Sequence, residues 1–278
     1  MDAEPALDGE PALDGEPVLD AAPVLDAAPV SGAVPLQRRL VAEAIGTAFL
    51  VAVVVGSGIM AQTLSPSDTG LQLLENSLTT GLALTVLIAW LGPVSGAHFN
   101  PVVTLSVAWW ERGSPARWTP AVVAATIAAQ VAGGSAGTLL AHAMFADSMA
   151  APALVDISGK DRSSPSLWLS EVVATFGLVV LIGALVRTGR ATTLAAPLVG
   201  AYIAGAYWWT SSTSFANPAV TIARALTDTF AGIQPSSVLP FVLAQVVGAA
   251  VAVAAVGYLH PRPAQARTII PAPLHEHS

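Results

Sequence analysis

Six long apolar windows constrain the fold of this chain more than any other feature of its sequence. They lie at about residues 40–64, 76–94, 119–146, 166–187, 191–209 and 236–259. Each is long enough to cross a hydrocarbon core of ~30 Å as a helix. Because 54% of the residues are hydrophobic and only 10% are charged, the composition is also that of a membrane protein. We therefore predict an all-α membrane protein with six transmembrane helices and both termini on one side.

Two short segments interrupt the apolar pattern, "HFNPVVT" at residues 98–104 and "SFANPAVT" at residues 214–221. Proline is favoured in the first turn of a helix and asparagine at its N-cap, so each Asn-Pro pair predicts a helix start. Roughly ten helix-compatible residues follow each pair, which corresponds to about 15 Å. Since that is half of a bilayer, we predict two re-entrant half-helices in place of further spans.

The two halves of the chain resemble each other. "AEAIGTAFLV" from Ala42 resembles "SEVVATFGLV" from Ser170, and "AAQVAGG" from Ala128 resembles "LAQVVGA" from Leu243. The repeats cover about residues 38–146 and 166–259, and each contains three spans and one Asn-Pro segment. An odd number of spans inverts the second copy relative to the first. We therefore expect the half-helices to enter from opposite sides, with their N-termini meeting near the midplane.

Such a meeting point favours uncharged solutes. Each helix N-terminus carries about half a positive charge, so two of them facing one lumen oppose cations, protons included. Irregular backbone at this depth must line a cavity or be buried in protein, and asparagine amides there can donate hydrogen bonds to a passing neutral molecule. The residues expected at the midplane are Asn100, Pro101, Val102, Asn217, Pro218 and Ala219. Those expected to present lumen carbonyls are Gly96, Ala97, His98, Ser212 and Thr213.

Residues 38–259 resemble the aquaporin and aquaglyceroporin family, and in particular its bacterial members. The resemblance is carried by the paired Asn-Pro boxes, "SGAHFNP" before the first box, the six spans and the internal repeat. It implies an aquaporin-like fold, passive bidirectional flow, no cofactor and a homotetramer with one pore per protomer. It also implies that Glu43 and Glu171 brace the re-entrant loops by accepting backbone hydrogen bonds. Val102 replaces the usual alanine of the first box, and we expect a small effect.

In this family four positions set selectivity, one of them an arginine three residues after the asparagine of the second box. Counting without gaps places Thr80, Gly205, Ser214 and Val220 there. Since this set lacks both bulk and charge, we predict an unusually wide, neutral constriction, which resembles that of metalloid-conducting members.

Arg224 follows Val220 by four residues and lies on the same helical face, so it is a candidate cation of the outer vestibule. A pairing with Asp228 at i+4 is the favoured alternative, because one helical turn, ~5.4 Å, is a large displacement for a filter residue.

The predicted function is a passive channel for water and small neutral solutes, with a wide pore that admits glycerol, urea or neutral metalloid hydroxides such as arsenite. A water-selective channel and an ion-coupled secondary transporter with inverted repeats are the alternatives. A purely structural membrane protein would leave the two pore asparagines without a purpose. An enzyme is not expected, since the chain has no cysteine and no clustered histidines or Ser-His-Asp set in its spans. No metal site is expected.

The charges predict the topology and the tails. Of 11 basic residues, eight lie in segments on the side of the termini, so the termini of this multi-pass inner (plasma) membrane protein are expected to be cytoplasmic. Residues 1–36 hold an acidic, proline-rich repeat and are predicted to be a disordered tail. Residues 37–260 form the predicted channel domain in the lipid bilayer, and residues 261–278 a cytoplasmic C-terminal tail. No basic face is left for nucleic acid.

Overall fold

The computed structural model describes residues 34–112, 118–148 and 153–261. All of these belong to one compact unit. Within them the chain forms eight α-helices, in order α1 (Leu36–Leu64), α2 (Thr69–Ser95), α3 (Pro101–Trp110), α4 (Pro120–Met144), α5 (Pro165–Arg187), α6 (Ala191–Trp209), α7 (Pro218–Ala223) and α8 (Pro235–Leu259). The predicted tails lie outside the described residues, apart from residues 34–36 and 261.

The long helices coincide with the predicted windows. By length and composition, α1, α2, α4, α5 and α8 can each cross a membrane. The remaining window corresponds to α6, which has 19 residues and therefore spans about 28 Å. Tyrosine and tryptophan near its end make α6 less apolar than the other five. The predicted all-α membrane fold, with long helices and two short ones, is confirmed.

The packing of the first half recurs in the second. Helix α1 packs on α2 and α4, and α5 packs in the same way on α6 and α8. The short helix α3 contacts α4 and α8, while α7 contacts α8 and α4. Helices α2 and α6 contact each other between the halves. This correspondence is what an internal repeat predicts, because each element of one half has a counterpart with equivalent neighbours.

Glycines permit the closest helix contacts. A Cβ atom added at Gly133 or Gly137 of α4 would lie 2.2 or 2.1 Å from a carbonyl oxygen of α1. The second half has the same feature, since a Cβ at Gly248 of α8 would lie 2.4 Å from the carbonyl oxygen of Val172 on α5. Small residues at such crossings let helix backbones approach closely, as is common in membranes.

The two short helices begin at the predicted Asn-Pro pairs. Asn100 caps α3 by accepting a hydrogen bond from Val102 N at 3.1 Å, and Asn217 caps α7 by accepting from Ala219 N at 3.0 Å. Helix α3 has 10 residues as expected. Helix α7 has only 6 residues and continues as a 3₁₀ turn over Arg224–Leu226, so the second half-helix is shorter than predicted.

Candidate functional site

Both segments that lead into the short helices adopt left-handed backbone conformations. These conformations are unfavourable for residues with a Cβ atom, so surrounding contacts must hold them. The same pattern occurs before each Asn-Pro pair. The residues with positive φ are Gly96 (98°), Ala97 (50°) and Phe99 (49°) in the first segment, and Thr213 (61°), Ser214 (49°) and Ala216 (48°) in the second.

Glu43 of α1 holds the first segment in place. Its carboxylate is buried and accepts four hydrogen bonds. Two come from backbone amides, His98 N at 3.0 Å and Phe99 N at 2.7 Å. The others come from Ser95 Oγ at 2.6 Å and Gln130 Nε2 at 2.7 Å. A carboxylate with this many donors is well satisfied in the interior and fixes the backbone that it binds.

Glu171 of α5 holds the second segment with the same set of partners. It accepts from Phe215 N at 2.9 Å, Ala216 N at 2.8 Å, Ser212 Oγ at 2.6 Å and Gln245 Nε2 at 2.7 Å. Each glutamate thus binds two consecutive backbone amides, one serine hydroxyl and one glutamine amide. This geometry is consistent with the bracing role that the resemblance implied for both residues.

The two segments meet at their asparagines. Asn100 Nδ2 donates to the carbonyl oxygen of Ala216 at 2.8 Å, and Asn217 Nδ2 donates to that of Phe99 at 2.8 Å. The N-termini of α3 and α7 therefore face each other. An amide nitrogen carries two hydrogens, so this cross-link leaves one N–H on each asparagine for a molecule in the adjoining space.

An elongated cavity of about 900 Å³ passes this meeting point. It follows α6 from Ala191 to Tyr207, a distance of about 24 Å. Asn100 and Asn217 both line it. Most of the wall is apolar, and polar side chains enter it from the two re-entrant segments, from α2 and from α6, with Glu111 and Arg224 as its charged residues. Apolar wall residues include Leu84, Val103, Val107, Leu178, Ile182 and Ile203.

This cavity is lined by three of the four predicted filter residues, namely Thr80, Ser214 and Val220. Gly205 does not. It is exposed, and a Cβ atom built there would meet no atom within 4 Å. Ile203 and Tyr207 of α6 line the cavity in its place. A residue two positions from each of them points to the opposite side of a helix, so the structure does not bring Gly205 to this wall.

Aromatic residues outside the predicted filter set also line the wall. Tyr207 lines the cavity, and its hydroxyl donates to Thr80 Oγ1 at 3.4 Å. Phe215, the residue after Ser214, lines it as well. The wall therefore carries aromatic rings beside the small residues Thr80, Ser214 and Val220, and the width of the constriction stays a prediction. A helical period in the sequence was the available signal, since Val199, Ile203 and Tyr207 recur every fourth residue and all face the cavity.

The predicted carbonyl-bearing residues divide between the two segments. Gly96, Ala97 and His98 line the cavity. Ser212 and Thr213 are not part of the wall, and the carbonyl oxygen of Ser212 accepts from Arg162 Nη1 at 3.3 Å. This contact ties the segment to the loop before α5 and keeps that carbonyl away from the cavity.

Arg224 does not pair with Asp228. Its Nε donates to the carbonyl oxygen of Ala231, and its Cζ lies 3.4 Å from the centroid of the Phe215 ring. Asp228 Oδ1 accepts from Gly159 N at 3.0 Å. The i+4 rule fails because Thr227, between them, is extended with φ −137° and ψ 124°. The favoured sequence interpretation is wrong, and Arg224 lines the cavity.

A second arginine faces the same ring. Arg162 Cζ lies 4.9 Å from the Phe215 centroid, and Arg162 Nε donates to the carbonyl oxygen of Gly232 at 3.1 Å. Burial lowers the pKa of Arg162 to about 10, against the opposing effects of Glu171 and Tyr207. Loss of solvent around its amine and the charges of both arginines lower the pKa of Lys160 to about 8. Lys160, Arg162 and Arg224 all still carry a positive charge at neutral pH.

This arrangement suits passage more than catalysis. Within residues 34–112, 118–148 and 153–261, no three metal-ligating side chains come together. The two buried carboxylates are fully occupied by hydrogen bonds to the segments that they hold. The long cavity, the opposed helix N-termini and the polar groups along one wall define a class of membrane protein, the channels in which two half-helices meet inside a helical bundle.

Comparison with known proteins identifies the family. The family described as "Major intrinsic protein" matches residues 31–207, more than half of the chain. Aquaglyceroporin AqpS of Rhizobium meliloti (strain 1021) is 52% identical over 225 residues, which are 81% of this chain and 91% of that protein. The chain therefore belongs to the major intrinsic protein family. The predicted resemblance is confirmed, and the protein is a channel, not an enzyme.

More distant proteins agree. Aquaporin AqpM of Methanothermobacter marburgensis is 31% identical over 252 residues, covering 81% of this chain and 98% of that protein. The X-ray structure of the aquaglyceroporin from Plasmodium falciparum superimposes with a TM-score of 0.59 at 19% identity, covering 79% of this chain and 95% of the other. At this identity, the structural similarity supports the fold.

Proposed function

We propose that this channel passes water and small uncharged solutes that carry several hydroxyl or amide groups, glycerol foremost. The observation that supports the proposal best is the cavity of about 900 Å³, which is mostly apolar and has the Asn100 and Asn217 amides in its wall. AqpS, the relative at 52% identity, is described as an aquaglyceroporin. An elongated space of this kind has room for molecules larger than water.

The two kinds of wall match the two sides of a polyol. The carbon backbone of glycerol can lie against Leu84, Val103 and Ile203, while its hydroxyl groups face the Asn100 and Asn217 amides. A solute leaves its water shell at little cost only where the wall replaces the lost hydrogen bonds. An amphipathic wall therefore favours glycerol over solutes that are entirely polar or entirely apolar.

Charge is opposed at the asparagines. Both N-termini point into the same narrow region, and their partial positive charges add. Glu43 and Glu171 are not part of the described cavity wall, and their carboxylates bind backbone amides of the re-entrant segments. We therefore expect cations and protons to be excluded while neutral solutes pass.

Urea and neutral metalloid hydroxides such as arsenite extend the proposal. The small residues Thr80, Ser214 and Val220 support it, because they leave room in the wall. Tyr207 and Phe215 favour the alternative of a water-selective channel, because aromatic rings narrow the space that they line. An ion-coupled transporter has less support, since it needs a titrating acid in the pathway. In the described part of the wall the only acid is Glu111, at the C-terminal end of α3, where it accepts from Trp118 Nε1 at 2.7 Å.

The proposal includes the assembly and the orientation. A homotetramer with one pathway per protomer, in the inner (plasma) membrane, would cover part of the apolar outer surface, such as Leu78, Leu82 and Val86 of α2. Arg38 and Arg39 in the first turn of α1, Arg187 at the end of α5 and Arg190 before α6 support cytoplasmic termini. Cross-linking in native membranes and protease protection of the termini would test these two points.

Stopped-flow light scattering of proteoliposomes tests the function. Vesicles with and without the protein are exposed to osmotic gradients of glycerol, urea and arsenite, and water permeability is measured with an impermeant osmolyte. We expect glycerol permeability well above that of empty vesicles. Water permeability without any solute permeability would support the water-selective alternative. Solute flux that follows a pH gradient or membrane potential would support coupled transport.

A further inference from the structure

Arg224 is buried and nevertheless lines the cavity. Its side chain is 2% exposed, and it forms part of the cavity wall together with Val220 and Phe215. It lies one turn after Val220 along the second half-helix, and long side chains on a helix lean towards the N-terminal turn. The guanidinium group lies against Phe215, which belongs to the same wall.

Two contacts fix the plane of this guanidinium group. Its Cζ lies 3.4 Å from the centroid of the Phe215 ring, and its Nε donates to the carbonyl oxygen of Ala231. In the part of the chain that the structure describes, its two terminal nitrogens have no hydrogen-bond partner. Their N–H groups are therefore left for a molecule in the cavity.

Arg162 provides the comparison. It faces the same ring at 4.9 Å and is also buried, at 8% exposed. Its nitrogens donate to the carbonyl oxygens of Gly232 and Ser212, and it is not part of the cavity wall. Arg162 thus holds Phe215 and two loops in place, while Arg224 holds the ring from the side of the cavity.

A guanidinium in such a place acts on charge. It keeps its proton at all physiological pH values, and its field is weakly screened beside an apolar wall. Among the described residues no carboxylate binds it directly, because Asp228 accepts from Gly159 N and Ser158 Oγ and Glu171 accepts from the second re-entrant segment. The positive charge therefore lies at the cavity wall without a directly bound counter-ion.

We propose that Arg224 is the charge-selective residue of the outer part of the pathway. Its guanidinium repels protons and metal cations, and its terminal N–H groups bind the oxygen atoms of uncharged solutes. The proposal rests on the channel function given above and deepens it. It replaces the neutral constriction expected from Val220 with a charged one, whose cation comes from a position one helical turn further along.

The test compares proton and glycerol flux in the same proteoliposomes. A pH-sensitive dye reports the proton leak under an imposed gradient, and light scattering reports glycerol flux, so their ratio corrects for the amount of assembled protein. Arg224→Gln and Arg224→Met remove the charge, and the second keeps a side chain that fits against Phe215. We expect both to raise the ratio at least about tenfold. Arg224→Lys keeps the charge and a low ratio.

Lys160→Gln is the control, because it removes a nearby cation that donates to the carbonyl oxygen of Phe230 and is not part of the cavity wall. We expect its ratio to stay within about twofold of the wild type. Equal leaks in the Lys160 and Arg224 variants, or a wild-type ratio in Arg224→Gln, would overturn the assignment. So would a protein that assembles only with arginine or lysine at position 224, since the cation then serves folding. A wild type impermeable to glycerol contradicts the channel proposal instead.

Discussion

Asn217 donates a hydrogen bond across the molecule to the carbonyl oxygen of Phe99 at 2.8 Å, and Asn100 returns an equivalent bond to Ala216. Each asparagine also caps its own short helix. The two re-entrant segments, which are far apart in sequence, therefore form one unit at the point where they meet. Changes to either asparagine affect a cap, a cross-link and a cavity wall at once.

Asn217→Ala should lose the cap and the cross-link together. We expect the free energy of unfolding to fall by about 2 kcal/mol, from one cap and one buried hydrogen bond, and glycerol flux per assembled protein to fall as well. Asn76→Ala is the control, because Asn76 is also buried, donates to the carbonyl oxygen of Val54 at 2.9 Å and is not itself part of the cavity wall. If both variants kept full glycerol flux, the cross-link would not shape the pathway.

Glu43→Gln and Glu171→Gln should destabilise the protein by similar amounts. In the native protein the donors bind two carboxylate oxygens of each glutamate. The glutamine side chain has only one acceptor oxygen, and its NH₂ group would face some of these donors. A loss of about 3 kcal/mol is expected for each, measured as a drop in the unfolding temperature in detergent. Glu75→Gln, whose carboxylate accepts only from Ser65 Oγ, should cost less than about 1 kcal/mol. Unequal losses at 43 and 171 would contradict the equivalence of the two sites.

Gly137→Ala should disrupt the packing of α4 on α1. The new Cβ would lie 2.1 Å from the carbonyl oxygen of Ala48, so the helices must separate, at a cost of roughly 2 kcal/mol. Gly257→Ala on α8 meets no atom within 4 Å and should stabilise its helix by up to about 1 kcal/mol. Thermal unfolding of both variants compares the two positions. Equal stability would mean that α1 and α4 are further apart than the structure shows.

Ile203→Trp should obstruct the cavity, whereas Gly205→Trp should not. Ile203 lines the wall, and a side chain added at Gly205 meets no atom within 4 Å. We expect glycerol flux to fall at least about tenfold in the first variant and to stay within about twofold of the wild type in the second. The reverse result would restore Gly205 to the wall and overturn the orientation of α6.

Val220→Arg should lower glycerol flux by about tenfold relative to Val220→Met. Both substitutions add volume at a residue of the cavity wall, but only arginine adds a second guanidinium one turn before Arg224. Stopped-flow measurement of glycerol and water permeability separates the effect of charge from that of size. Unchanged glycerol flux in Val220→Arg would mean that position 220 does not lie where solutes are selected.

The positions of the helices could be predicted from the sequence because each helix depends on the chemistry of its own residues. The window at 166–187 matches α5, Pro165–Arg187, since a span must stay apolar for its whole length. The two short helices were equally accessible, because asparagine and proline act on the residues next to them. The internal repeat then supplied the pairing of the halves, which the helix contacts reproduce.

The side chains of the wall were less accessible. An ungapped count predicts Gly205 as a filter residue. The backbone of residues 210–216 after α6 is irregular, and a count along the sequence does not contain its path. Asp228 was assigned to Arg224 by a helical spacing that ends at Thr227. Arg162 reaches Phe215 only through the folding of a separate loop. In each case the deciding contact is between segments, and a one-dimensional spacing does not contain it.

The hydrogen bonds that hold the re-entrant segments have a consequence for kinetics. The amides of Phe99 and Ala216 are held by Glu43 and Glu171, and the carbonyl oxygens of the same two residues are held by the opposite asparagine. We therefore expect permeation without rearrangement of these segments, with an activation energy set by the exchange of a water shell for preset partners. In such a pathway fixed protein groups take the place of the solute's water shell. Solute flux should therefore rise with solute concentration and respond weakly to temperature.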